Sequence, residues 1–212
     1  MERLDDKGYS LVELLIAIAI SSIVLLGLAM FMSTSSNSYK FTNDEVFIQK
    51  EAQNSLNLLK NFIMEGKGKD IKIVKNSSDE LIGLEILNDS SKKYYYVLYK
   101  KSEGKLFYKK KDGSITTVVM GNEYEVNMAD DKIDSICKKN NTMSEYLDTT
   151  DGFDVKLEKG KYKKMVPNSI DPSIMDEVEV EEVNAVNVVL KLKRGKNTIT
   201  QKETVAPRNS NE

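Results

Sequence analysis

Histidine is absent from the sequence, and cysteine occurs once, at position 137. The first absence removes the usual general base and the commonest metal ligand. The second excludes an intramolecular disulfide, leaving Cys137 as a free thiol or a chain-to-chain link. An excess of one charge is missing too. The chain has 31 basic and 33 acidic residues, and the balance stays nearly even when the first eight residues are set aside. Nothing in it favours a nucleic-acid groove. The runs Lys109-Lys110-Lys111 and Lys138-Lys139 read as solvated faces. No phosphate-binding glycine loop, nucleophile elbow or metal triad occurs, so neither an enzyme nor a cofactor is expected. Proline is absent before Pro167, and neither proline nor glycine lies between Gly27 and Gly66. That span holds nothing that would break a helix.

What is present near the start is a long apolar run. Leu14 to Met32 carries no charge, and its only polar side chains are Ser21 and Ser22. At 1.5 Å rise per residue this run makes a helix of about 28 Å, close to the roughly 30 Å hydrocarbon thickness of a bilayer. It is long enough to cross a membrane once. Glu13 stands at its near end. Insertion scales put acids at a helix centre at about +3 kcal/mol, and less towards an end. Two readings follow: a carboxylate that snorkels to the interface, or one held there for a functional partner. The preceding Met1 to Gly8 mixes Arg3 and Lys7 with Glu2, Asp5 and Asp6, so orientation by positive charge is only weakly marked.

The words around Glu13 resolve into a known pattern. Gly8 followed by Tyr9-Ser10-Leu11-Val12-Glu13-Leu14-Leu15-Ile16 resembles the cleavage and methylation signal of type IV prepilins and pseudopilins. Tyr9 stands where that family usually has Phe. The resemblance implies that Gly8 is the last leader residue and that Tyr9 is the mature, N-methylated terminus. It also implies that Glu13 is the glutamate used in filament assembly. An ordinary secretory signal is cut behind its apolar region; here Gly8 precedes that region, so cleavage leaves the helix attached. Many major pilins have a helix-bending Pro in the membrane half, and this chain has none.

After Met32, the polar Ser33 to Ser38 reads as an exit from the bilayer. Phe41, Ile48, Ala52, Leu56, Leu59 and Ile63 then recur at helical spacing, one apolar face of an amphipathic helix. A near-continuous helix is expected, with Gly27 as its expected bend and Gly66 and Gly68 as its stop. From Lys69 the period falls towards two. Ile71 to Ile73, Leu81 to Leu87, Tyr94 to Tyr99, Leu106 to Tyr108, Ile115 to Met120 and Tyr124 to Met128 read as strands of an antiparallel meander. Asp112-Gly113 is a strong hairpin signal between two of them.

Asp130 to Gly152 reads as a long polar loop with one helical turn. Asp148, Asp151 and Asp154 recur around Gly152, but without EF-hand spacing or a closing Glu; solvated turn acids and no metal are expected. Phe153 to Leu157, Val178 to Val183, Ala185 to Lys193 and Thr198 to Val205 complete the strands, with Pro167 and Pro172 bracketing a loop. The run of Tyr with the following Gly-Lys-Leu-Phe-Tyr resembles the body of J- or W-type minor pilins and pseudopilins. The closing Thr204-Val-Ala-Pro-Arg-Asn209 resembles the last strand of W-type minor pilins.

The expectation is an α+β chain. Residues 1–8 form a leader, 9–32 a spanning or filament-core helix, 33–66 an amphipathic helix and 67–212 a β-rich body. The resemblance implies a minor pilin or pseudopilin, a structural subunit that initiates or joins an envelope filament. Its implied partners are other pilin subunits, a prepilin peptidase, the inner-membrane assembly machinery and, before assembly, membrane lipid. The implied location is single-pass in the cytoplasmic membrane with an extracytoplasmic body, then an extracellular filament. The alternative is a permanently anchored extracytoplasmic binding protein or adhesin. Retractable pilus, secretion pseudopilus and DNA-uptake filament stay open, as does any adhesive specificity.

Overall fold

A computed structural model describes residues 10–76, 81–88, 90–119, 122–170 and 173–208. Its longest element is helix α1, Leu11–Glu65. Helical backbone runs through the polar 33–38 segment, as expected from a span without proline or glycine. The chain divides into two compact units at the Asp44–Glu45 bond.

In the first unit, the described residues are almost all helical. Every large apolar side chain from Leu11 to Met32 is more than half exposed. This stretch is long and apolar enough to cross a membrane. Ser22 disposes of its hydroxyl by donating to the Ile18 carbonyl at 2.7 Å, a local bond that suits a polar side chain in an apolar helix.

The second unit is α+β. Its helical part buries Ile48, Ala52, Ser55, Leu56, Leu59, Phe62 and Ile63, one stripe at i, i+3, i+4 spacing. Phe41 is a correction to the expected stripe: it is 53% exposed and falls in the first unit. The helix passes straight into strand β1, Gly66–Lys75. A Cβ on Gly68 would overlap the Val183 carbonyl, so glycine there permits close approach of two strands.

Strands β2 (Leu81–Asn88), β3 (Tyr94–Lys100) and β4 (Lys105–Lys111) continue β1 as an antiparallel meander. With β5 (Thr117–Val119), β6 (Asn122–Asn127) and β7 (Thr142–Ser144) they make a seven-stranded sheet of order β5-β6-β1-β2-β3-β4-β7. Here the structure corrects two expectations. The turn at Asp112-Gly113 does not fold β5 back onto β4; β5 lies at the far edge, on β6. And β6 runs parallel to β1. The cause is a strap across the sheet. Ile115 packs against the core on that face, and its N–H donates to the Tyr96 hydroxyl at 2.9 Å. The Ser114 and Thr116 hydroxyls donate to Glu85 Oε2 at 3.0 and 2.6 Å. Glu85 is only 2% exposed, so these bonds satisfy a buried carboxylate.

Strand alternation splits the sheet's side chains between two cores. Ile71, Leu84, Ile86, Tyr95, Val97 and Tyr99 face the one that contains the α1 stripe, where Phe62 stacks on Tyr95 with centroids 4.7 Å apart. Val74, Tyr96, Leu98, Phe107 and Val126 face the other. That second face is covered by helix α2, Asp130–Ile136, through Ile133 and Ile136. The expected long loop is thus a short helix followed by a 3-10 turn (Lys139–Asn141) and β7. Cys137 is half-buried beside this core, and burial pushes its thiol up to about 11.

A second sheet has the order β10-β9-β8, formed by β8 (Phe153–Pro167), β9 (Met175–Arg194) and β10 (Asn197–Val205). The two expected strands 178–183 and 185–193 are one strand, interrupted only by a register shift where Glu158 pairs with Ala185 and Lys159 with Val183. A single extra residue, Asn184, accounts for the break in alternation. Val155, Val186, Val188, Leu190, Leu192 and Val205 bring this sheet into the helix-side core. Arg194 closes that end of the unit, its guanidinium 4.2 Å from the Phe47 ring centre and 5.3 Å from Tyr146. Pro167 ends β8; Pro172 lies outside the described residues.

Candidate functional site

The expected site residues are Gly8, Tyr9 and Glu13. Gly8 and Tyr9 lie outside the described residues. Glu13 sits in the first turn of α1, exposed like the apolar side chains that follow it. Its carboxylate is not idle. The Ser10 N–H donates to Glu13 Oε2 at 2.9 Å, and the Glu13 N–H donates to Ser10 Oγ at 3.3 Å. The Ser10 carbonyl accepts from Leu14 N–H at 3.2 Å, the first bond of the helix ladder.

This is a reciprocal capping box. A helix start leaves backbone N–H groups without intrahelical partners, and Ser-x-x-Glu satisfies two of them. The reading by family pattern gave Ser10 no role in this cap. The signal was in the sequence, as the three-residue spacing of Ser10 and Glu13. The same carboxylate is also well placed electrostatically, since an anion suits the positive end of the helix dipole. An exposed acid at the head of an exposed apolar helix can therefore cap its own chain and still present a negative charge to a cation outside it.

The other acids do different work. Asp148 Oδ1 accepts from the Thr150 N–H at 2.9 Å. That bond, helped by Lys191 and Lys193, holds the Asp148 carboxyl below its ordinary value. Lys191 reaches Asp151 Oδ1 at 2.7 Å, and Lys156 lies 3.9 Å from Asp154. Asp148 and Asp151 thus belong to the turn before β8, and Asp154 to β8 itself. Among the described residues no group of three or more His, Cys, Asp or Glu side chains is placed to hold a metal ion. An open cleft between the sheets is lined by lysines (Lys69, Lys72, Lys164), glutamates (Glu123, Glu181, Glu182) and two tyrosines (Tyr124, Tyr162). Its charges are of both signs.

Residues 3–29 match the family model described as the prokaryotic N-terminal methylation motif. The matched stretch contains Gly8, Tyr9, Ser10 and Glu13, and ends inside the exposed apolar half of α1. Comparison with curated proteins and with solved structures gives no match. The chain thus carries a type IV prepilin-like signal. The signal supports a type IV pilin-like protein, processed by prepilin peptidase and anchored in a membrane through its N-terminal helix. It points to a structural subunit that assembles with other pilins, with its body outside the cell.

Proposed function

We propose that this chain is a minor pilin or pseudopilin. In this reading a separate membrane peptidase cuts between Gly8 and Tyr9, and the new Tyr9 amine is methylated. The processed chain then initiates or joins an envelope filament. Residues 1–8 are the leader, 9–32 the spanning and later filament-core helix, 33–66 its amphipathic continuation and 67–212 the displayed body.

The observation that carries the reading is that the sequence motif and the exposure of the helix agree at one place. The methylation motif falls on residues 3–29. The helix that follows exposes all its large apolar side chains up to Met32. The single acid in its first turn is Glu13. A soluble protein has no use for such an exposed apolar surface, whereas a lipid bilayer, or a bundle of like helices, covers it.

The Glu13 role follows from charge. Cleavage creates an amine at Tyr9, and Glu13 lies four residues on, about 6 Å along a helix. Each charge alone is costly in a low-dielectric setting, and pairing offsets much of that. If the amine belongs to the neighbouring subunit, the pair sets register between them.

The test is the mature N-terminus. Mass spectrometry of membrane or filament fractions should find a chain that begins with N-methylated Tyr9. Gly8→Val should leave full-length protein in the membrane, because peptidase access needs a residue without bulk. A mature chain that keeps Met1 in the wild type would favour the anchored binding protein instead. Normal processing of Gly8→Val would remove the cleavage assignment.

A further inference from the structure

Strands β8 and β9 pair from Phe153↔Leu190 out to Pro167↔Met175, but β10 covers β9 only from Val186 to Arg194. Strand β8 is the edge of its sheet. Beyond the bulge at Asn184 the hairpin is therefore a two-stranded ribbon. The inner end of the uncovered part of β9 is occupied: Val183 abuts Gly68, and the Tyr124 hydroxyl donates to the Glu181 carbonyl at 2.5 Å. Among the described residues, Met175 to Val180 of β9 pair only with β8, and β8 pairs only with β9.

The two strands of this ribbon carry opposite charge. Lys159 to Pro167 has four lysines and no acid, and Met175 to Val183 has five acids and no base. On one exposed face the charges form a ladder: Lys159 to Glu181 at 3.8 Å, Lys161 to Glu179 at 3.5 Å and Lys163 to Glu177 at 3.0 Å. An exposed edge strand is a template for another strand, and lysines on it ordinarily discourage that. Here the discouragement is selective. Two β8 edges would set lysine against lysine, and two β9 edges would set acid against acid, each destabilising. A β8 edge against a β9 edge repeats the pairing that the ribbon already makes within itself.

We infer that the β8–β9 ribbon is a self-association surface that joins copies of this chain head to tail. The lysine-bearing edge of β8 in one copy meets the acid-bearing edge of β9 in the next. The occupant is a second copy because the complement of each edge is the other edge of the same ribbon. Such a contact is heterologous: every copy added leaves one basic and one acidic edge free, so it propagates rather than closing as a dimer. The inference does not depend on the processing or membrane role proposed above.

The test uses full-length chains in their native membranes, in a Cys137→Ser background. Lys161→Cys and Glu179→Cys are placed on separately tagged, co-expressed copies and treated with a short bis-maleimide. The 161–179 product between different tags should exceed the 161–161 and 179–179 products by tenfold or more. Lys163→Glu on the first copy should reduce it to the homotypic background, and Glu177→Lys on the second copy should restore it. Lys163→Gln, which removes charge without reversing it, should give an intermediate yield and guards against misfolding. Equal homotypic yields, no product, or a product only with some other protein would each overturn the inference. Retention of the 161–179 product in a Gly8→Val chain that stays unprocessed would separate this contact from the cleavage reading.

Discussion

Glu13 answers two demands, and substitutions can separate them. As the second half of the capping box it needs a side-chain acceptor for the Ser10 N–H. As a partner for a neighbouring amine it needs a negative charge. Glutamine meets the first demand and not the second, because its amide oxygen still caps. Glu13→Gln should therefore keep the helix start and the cleavage, yet enter filaments poorly, as should Glu13→Val, which removes both the acceptor and the charge. Ser10→Ala should do the reverse: weaken the first turn by about 0.5–2 kcal/mol while leaving assembly largely intact. Immunoblots of sheared filament and membrane fractions read both outcomes. Wild-type incorporation of Glu13→Gln would leave capping and interfacial placement as the whole role of this residue.

Cys137 gives a second prediction at the same scale, with a definite sign. Its thiol is raised to about 11 by burial, against the pull of nearby Lys100. The thiolate is the reactive form, so alkylation of the folded protein should be slow at pH 8 and should rise steeply only towards pH 11. A rate at pH 8 equal to that of the urea-unfolded chain would contradict this environment. The residue scale is also where the sequence was most informative about the site. Glu13 stood out because an acid beside an apolar run is anomalous in itself. Ser10 was overlooked because a serine before a helix is unremarkable until its bond to Glu13 is seen.

At the scale of elements, most strands were legible, and their order was not. Alternation along 186–192 marks a strand with one buried face, and the unbroken run of strand formers at 94–99 marks one buried on both. Partner choice is decided elsewhere. Asp112-Gly113 has good hairpin chemistry, and Gly113 does adopt a positive φ of 79°. Yet the chain leaves that turn along the outer face, because Tyr96, Glu85 and an apolar seat for Ile115 await it there. Those partners are 19 and 29 residues away in sequence, beyond the reach of any local pattern. The Tyr96 hydroxyl, pushed well up from its ordinary value by burial and then by Glu85, stays protonated and joins the strap to the sheet. Tyr96→Phe removes the acceptor for the Ile115 N–H. A lost buried hydrogen bond of about 1–3 kcal/mol should speed exchange of that amide by roughly 10–100-fold. The amides of β3 itself should stay protected. Unchanged exchange at Ile115 would mean that the strap is held by Glu85 and apolar contact alone.

At the scale of the whole molecule, the division at Asp44 and Glu45 makes a claim about where independent stability resides. The membrane-length stretch up to Met32 exposes its apolar side chains, and among the described residues the core of the second unit begins at Ile48. The part of α1 from Glu45 onward is another matter. Ile48, Leu56, Leu59, Phe62 and Ile63 all belong to the larger core. Burying five such side chains is worth roughly 8–15 kcal/mol. The net stability of a whole domain is about 5–15 kcal/mol, so this face accounts for as much free energy as the fold has to spare. A chain that starts at Glu45 should therefore be a soluble, cooperatively folded protein with dispersed amide signals in NMR. A chain that starts at Gly66 keeps every strand and should not fold. It should show no cooperative thermal transition, and it should regain one when a peptide of residues 45–65 is added. Cooperative unfolding of the Gly66 chain on its own would show that the sheets are self-sufficient, leaving α1 a tether rather than part of the core.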